Sequence, residues 1–219
     1  MINMRKEQLL QSLRERGIPE AILLAFSEIE REDFIPADME RMAYEDIPLP
    51  IGKNQTTSQP YTIALMLSLL DVKQGQKVLE IGSGSGYVLA LLSKLAGPEG
   101  KVFGVELVKE TVKKSRKTLQ GTKNIKVYNK NGAGGLPEFA PFDRILISAA
   151  LRDIPEGIIA QLADHGILVA PKGSRFEQEI LVIERKSGSE FEIKKRLPGF
   201  VFVPFIGEDS GQDPGTGQG

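Results

Sequence analysis

The stretch KVLEIGSGSGY, residues 77–87, decides the fold. Lys77–Ile81 is a short aliphatic run with the composition of a strand buried on both faces. Gly82, Ser83, Gly84, Ser85 and Gly86 follow with no bulky side chain among them, which makes a turn. From Tyr87 to Leu95 apolar residues occupy most of a helical circumference, as in a helix packed on a sheet. Strand, glycine turn and helix in this order bring backbone N–H groups and a helix N-terminus up to a polar ligand.

The spacing narrows the ligand. A dinucleotide fingerprint, G-x-G-x-x-G, needs its third glycine at position 87, where this chain has Tyr87; the pattern here is G-x-G-x-G. Glu80 stands inside the strand end, two residues before the first glycine. A second strand, Lys101–Val105, ends in Glu106, at the separation where an acid accepts hydrogen bonds from both ribose hydroxyls and repels a 2′-phosphate. A βαβ unit without ligand and an NAD site are the alternatives. S-adenosylmethionine is the best fit.

Composition bounds the rest. A chain of 219 residues accommodates one α/β domain with a full core and a small appended segment. Hydrophobic residues make up 41% and charged residues 26%, ordinary values for a globular protein. The formal net charge of −1 gives no electrostatic reason to expect nucleic acid or an anionic membrane as partner. Cysteine is absent, which excludes disulfides, thiolate catalysis and cysteine-bound metal and suits a reducing cytoplasm. The N-terminal MINMRKEQLLQSLRERG lacks the apolar centre of a signal peptide, and no apolar run reaches membrane-spanning length. The expectation is a cytoplasmic monomer, because no large exposed apolar stripe is evident.

Around the central unit the chain divides into residues 1–75, 76–207 and a tail, 208–219. Residues 4–16 carry Leu9, Leu10 and Leu13 at helical spacing and stop at Gly17. Pro19 opens a second helix, Glu20–Ile29, with Ile22, Leu23, Phe26 and Ile29 on its apolar face. From Pro36 to Gly52 prolines forbid a long helix, yet the stretch is too apolar for a linker and reads as a segment laid over the domain. KNQTTSQPY, residues 53–61, places Asn54, Gln55, Thr56, Thr57, Ser58 and Gln59 before a helix that runs to Leu70. Such residues commonly cap helices, but a cap needs one of them, so a ligand-facing polar loop is the favoured reading.

Beyond Glu106, residues 108–119 form a helix with a solvated basic face. Ile125–Tyr128 is a third strand, NKNGAGG (129–135) a turn, and residues 141–150 a fourth strand. A helix is expected over Pro155–Ala163 and a fifth strand over 166–171. Glu179–Glu184, Phe191–Arg196 and Phe200–Phe205 are strand-like without intervening helices, the first two joined by a turn at Ser187-Gly188. Five βα repeats and then antiparallel strands describe a Rossmann-like, doubly wound, mostly parallel sheet with an antiparallel C-terminal edge. The tail has no apolar anchor and is expected to be disordered. His165 falls in a surface turn away from the ligand edge, leaving no histidine base and no metal cluster.

REDFIP (31–36), AYEDIPLPIG (43–52), QTTSQP (55–60), VLEIGSGSGY (78–87), LPEFAPFDRI (136–145) and VPFIG (203–207) together resemble the protein-L-isoaspartate (D-aspartate) O-methyltransferase family. The resemblance runs from the N-terminal helices to residue 207 and implies the class I methyltransferase fold with S-adenosyl-L-methionine as cofactor. It implies a cofactor site of Glu80, Gly82, Ser83, Gly84, Gly86, Glu106, Asn131 and Gly132, with Thr56 and Thr57 from the loop. Substrate, an isoaspartyl-containing peptide or damaged protein, is implied to meet Gln55, Thr57, Ser58 and Gln59, with Ser58 at the family's active-site serine. Three departures stand out: Lys53-Asn54 before the glutamine, Asn131-Gly132 where the family usually has Asp-Gly, and Leu151-Arg152 after the fourth strand. A methyltransferase of the same fold acting on RNA or a small molecule, and a cofactor-binding module without turnover, are the competing readings.

The implied chemistry explains the shortage of catalytic side chains. A carboxylate is ionised and nucleophilic at neutral pH, so methylating it requires alignment and exclusion of water rather than a general base.

Overall fold

A computed structural model describes residues 2–53, 55–174, 176–188 and 190–205. Helices α1 (Ile2–Glu15) and α2 (Glu20–Glu28) lead through two short 3-10 turns to a hairpin of β1 (Leu49–Gly52) and β2 (Gln55–Thr57). Helix α3 (Pro60–Leu70) precedes the central unit: β3 (Lys77–Ile81), α4 (Tyr87–Ala96), β4 (Lys101–Glu106), α5 (Lys109–Thr118) and β5 (Ile125–Asn129). β6 (Phe142–Ile147), the one-turn α6 (Glu156–Ile159), β7 (Leu162–Gly173), β8 (Gln178–Arg185) and β9 (Phe191–Phe200) complete the chain.

The main sheet runs β5-β4-β3-β6-β7-β8-β9. Pairings from β5 to β7 are parallel, and β8 and β9 are added antiparallel. The strand order reverses between β3 and β6, where the connections that follow the two strands leave to opposite faces of the sheet and a crevice opens beyond the carboxyl ends. Alternation along β3 sends Val78 to one face and Leu79 and Ile81 to the other, so both faces need cover. On the first face lie α3, α4 and α5, with α1 and α2 packed outside them. Tyr87, the first residue of α4, fixes this outer layer: its ring lies 6.0 Å from Phe26 and 5.5 Å from Phe34.

Cover on the second face departs from the expected helices. The helix anticipated over Pro155–Ala163 is the single turn α6. Gln161 stops it. Its side chain accepts from Leu136 N and donates to the Gly134 and Gly157 carbonyls, each at 2.8 Å, while its own carbonyl accepts from Phe142 N. That tertiary network outweighs local helix propensity and starts β7 at Leu162 rather than at 166. After β5 come only 3-10 turns, Gly132–Gly134 and Pro137–Phe139, so a full helix follows only β3 and β4 instead of all five strands. Phe103, Phe142, Tyr128, Phe139 and Leu136 fill the space a helix would have taken.

Two further differences lie at the C-terminal edge. The runs at 191–196 and 200 belong to one strand, β9, which continues through Leu197 and Pro198. Val201–Phe205 is not a strand: it crosses the strand ends, with Ala150 N donating to Val203 O and Phe205 N to Ala150 O. His165, expected in the turn before the fifth strand, lies within β7, where the pairing with β6 is irregular between Leu162 and Ile167; it is exposed, with φ 61°, and faces Glu184. Residues 206–219, including the tail and the last two residues of VPFIG, lie outside the described residues, as does Asn54. No helix among the described residues is long and apolar enough to cross a membrane.

Candidate active site

The glycine turn and the β1–β2 hairpin face each other across the crevice beyond β3 and β6. Two cavities lie there, about 50 and 360 Å³, and share Ile51, Thr56, Gly82, Gly84 and Ser148 in their walls. They are one cleft divided by the hairpin. In the narrow lobe Thr57, Ser58 and Met66 stand opposite Glu80, Ser83 and Ser85. In the wide lobe are Lys53, Gln55, Glu106, Gly132 and Phe205.

Each wall has a local cause. Gly82 (φ 80°) and Gly84 (φ 50°) hold left-handed conformations that glycine adopts without strain. A Cβ on Gly84 would lie 3.1 Å from Ile51 Cδ1, so the missing side chain lets the hairpin close onto the turn. Gly84 N then donates to Glu106 Oε2 at 3.0 Å, and Val108 N to Glu106 Oε1 at 2.8 Å. Those two bonds orient the carboxylate and leave acceptor capacity on both oxygens. Gly132 permits a close approach from the other side, since a Cβ there would lie 2.5 Å from Ile81 Cγ2.

Glu80 is the most buried of the charged groups in the cleft, 1% exposed. Ser148 Oγ donates to its Oε1 at 2.8 Å, and its Oε2 has no partner. Burial pushes its carboxyl up to about 8; the Ser148 hydroxyl opposes the shift and the neighbouring Glu106 adds to it. Ser83 Oγ and Gln55 Oε1 are likewise buried without partners. Buried polar atoms left unpaired are costly, so three of them lining one cleft describe a surface shaped for a polar ligand. A ligand with a cationic group near Glu80 and vicinal hydroxyls near Glu106 fits this donor and acceptor set.

The residues expected from sequence separate into three groups. Glu80, Gly82, Ser83, Gly84, Thr56, Thr57 and Ser58 line the narrow lobe, and Gln55, Glu106 and Gly132 the wide one. Gly86, Asn131 and Gln59 line neither. Gly86 faces α5: a Cβ would fall 2.6 Å from Ser115 Oγ, so this glycine serves helix packing. The Asn131 side-chain oxygen is engaged by Ala133 N at 3.0 Å, which caps the turn. Gln59 occupies the N-cap position of α3 but makes no capping bond with its side chain. Lys53 (φ 54°) turns the hairpin and lines the wide lobe, whereas Arg152 is exposed and lines neither.

Helix α3 is capped from a distance instead: Asp46 Oδ1 accepts from Tyr61 N at 2.8 Å. The polar loop is therefore free of the capping duty that was its main alternative. Asp46, Ser148, Ile51 and Phe202 were not singled out from sequence. Ser148 carried the one usable signal, a small polar residue directly after the apolar run 145–147 at the point where strand order reverses.

Known proteins resemble the chain over most of its length. The sequence profile of the family described as protein-L-isoaspartate(D-aspartate) O-methyltransferase matches residues 4–210. A protein-L-isoaspartate O-methyltransferase of Methanothrix thermoacetophila is 42% identical over 207 residues, 94% of this chain and 96% of the relative. That of Methanocella arvoryzae is 44% identical over 182 residues, 82% of this chain and 95% of the relative. Among solved structures, a protein-L-isoaspartate O-methyltransferase superposes with TM-score 0.82 at 28% identity, covering 92% of this chain and 66% of that longer one. A Plasmodium falciparum structure described by the same activity, in complex with S-adenosyl-L-homocysteine, gives TM-score 0.79 at 26% identity over 91% of this chain and 97% of its own.

Proposed function

Because the chain belongs to the protein-L-isoaspartate(D-aspartate) O-methyltransferase family, we infer that its cleft transfers a methyl group from S-adenosyl-L-methionine to the free carboxylate of isoaspartyl and D-aspartyl residues. The observation that carries this reading is the juxtaposition of two buried acids, Glu80 and Glu106, with the hydroxyl-bearing segment Thr56–Ser58 across one narrow cleft. The acids suit a cationic nucleoside, and the hydroxyls suit an incoming carboxylate.

Bound there, S-adenosylmethionine supplies a methyl group already activated by a sulfonium. The protein has four tasks. Glu106, held by Gly84 N and Val108 N, would accept hydrogen bonds from the ribose hydroxyls. Glu80 would hold the ammonium of the methionine part. Ser58 donates its hydroxyl to one oxygen of the substrate carboxylate, directing the other along the line of transfer. Ile51 and Met66, with Phe202, exclude water from the narrow lobe. No proton needs to be removed, in keeping with a site whose side chains include no histidine. The methyl ester can lose methanol where the carboxylate could not lose oxide, so the following backbone amide nitrogen displaces methanol to close a succinimide off the enzyme, and water then opens the ring partly to normal aspartate. Damaged proteins and peptides are thereby the substrates, and repair is the outcome.

A reducing cytoplasm is supported by the cysteine-free composition. A monomer is supported by edge strand β9, whose exposed Lys194, Lys195 and Arg196 discourage strand pairing between copies. The deciding experiment incubates the protein with methyl-labelled cofactor and an isoaspartyl peptide beside its normal aspartyl twin. Label is expected in the isoaspartyl peptide alone; equal labelling of both, or of neither, refutes the assignment.

A further inference from the structure

Four backbone carbonyls from two separate stretches converge on one buried cation. Arg31 is 0% exposed. Its Nη1 donates to the carbonyls of Ala43 at 2.8 Å and Glu45 at 3.3 Å; its Nη2 donates to those of Ile47 at 3.2 Å and Ser58 at 3.1 Å. A buried charge is costly unless its polar atoms are met, and here carbonyl oxygens rather than a carboxylate meet both terminal nitrogens, while Nε has no partner. The planar fork of a guanidinium can bridge carbonyls that diverge in this way; the point charge of an ammonium cannot.

The turn that Arg31 grips has a second connection to the site. Asp46, between the held carbonyls of Glu45 and Ile47, caps α3 through Tyr61 N. Ser58 and Gln59 therefore run between two fixed points: the guanidinium at one end and the capped first turn of α3 at the other. With the Ser58 carbonyl turned inward to Arg31, the rest of that residue is presented to the narrow lobe it lines.

We propose that Arg31 is a positioning residue for methyl transfer, which with Asp46 sets the main chain at Ser58 so that the hydroxyl meets the substrate carboxylate. The proposal rests on the reading of Ser58 as the group that holds that carboxylate. It gives the REDFIP segment a role in turnover, although none of its side chains lines either lobe of the cleft. A displacement of about 1 Å at a reacting group can cost a hundredfold in rate, so a remote pin is enough to matter.

The test is a double-mutant cycle of Arg31→Lys with Ser58→Ala, read as kcat, peptide KM and the Kd of S-adenosylhomocysteine. Arg31→Lys keeps the charge and loses the fork. It is expected to lower kcat ten- to a hundredfold while moving the Kd less than threefold. Ser58→Ala is expected to cost far less in the Arg31→Lys background than in the parent, because a misplaced hydroxyl has little left to lose. Asp46→Ala supplies the second arm should Arg31→Lys not fold: it lowers kcat with the same coupling to Ser58→Ala. Asp46→Asn, whose amide oxygen restores the cap, recovers most of the rate. Additive losses, or a Kd that rises in step with the fall in kcat, overturn the proposal and leave Arg31 a residue of the frame; so does a fully active Asp46→Ala protein. If Ser58→Ala alone is as active as the parent, the reading of Ser58 fails as well, which separates the two failures.

Discussion

Glu80 shows how one buried carboxyl ties the reactive cleft to the stability of the whole chain. In the folded protein its carboxyl is pushed up to about 8, against an ordinary 4.5. Between those values the folded state holds a proton that the unfolded state releases. Stability therefore falls as pH rises through this window, by at most about 1.4 kcal/mol per pH unit for one group; the burial penalty is absent below the window and complete above it. Glu80→Gln removes the titration while keeping an acceptor for the Ser148 hydroxyl. Urea denaturation of ligand-free protein at pH 5, 6.5 and 8 is expected to show the variant gaining on the parent as pH rises. Parallel curves would mean that Glu80 is ionised throughout. At this scale the sequence was informative about identities and silent about partners. Glu80 and Glu106 were legible because strand ends next to a glycine turn have few other uses for an acid. Ser148 and Asp46 were not, because each acts on a residue far away in the chain.

At the scale of elements, the two glycines that flank Ser85 do different work, and substitution should separate them. Alanine at Gly86 meets a left-handed φ of 89° and sits against Ser115 Oγ at 2.6 Å and Leu119 Cδ1 at 2.8 Å. Strain and overpacking together are expected to cost about 2–4 kcal/mol of stability. Alanine at Gly84 has φ 50° but meets only the end of Ile51, at 3.1 Å. It is expected to cost about 1–2 kcal/mol, while lifting the hairpin and lowering turnover more than tenfold. Urea midpoints beside methylation rates test the contrast, and the reverse order of stabilities would refute the division of roles. The same contrast explains which elements could be read in advance. β3, α4, β4 and α5 have patterns complete within themselves, so their bounds were legible to within a residue or two. α6 ends where Gln161 meets partners from the 134–136 turn and β6, a contact that no local pattern encodes. The polar loop was legible as a cluster too rich for a cap, but the groups that hold it, Arg31 and Asp46, lie outside it.

For the molecule as a whole, the cleft joins the two parts of the chain, so ligand binding should be felt in global unfolding. One wall belongs to the strand ends of the parallel sheet; the other belongs to the hairpin, which is anchored through Arg31 and Tyr87 to the outer helices. A ligand that spans both walls binds the folded chain and has nothing to bind in the unfolded one. At a hundred times its Kd it stabilises by about 2.7 kcal/mol, and a domain of this size gains about 2–4 °C in Tm per kcal/mol. S-adenosylhomocysteine at that excess is expected to raise Tm by about 5–10 °C. Glu106→Ala should lose most of this shift at the same concentration, because it removes the acceptor proposed for the ribose. Ser58→Ala should retain it, because Ser58 is assigned to the substrate. Equal loss in both variants would show that the hairpin hydroxyls hold the nucleoside itself, and the division of the cleft between cofactor and peptide would have to be redrawn.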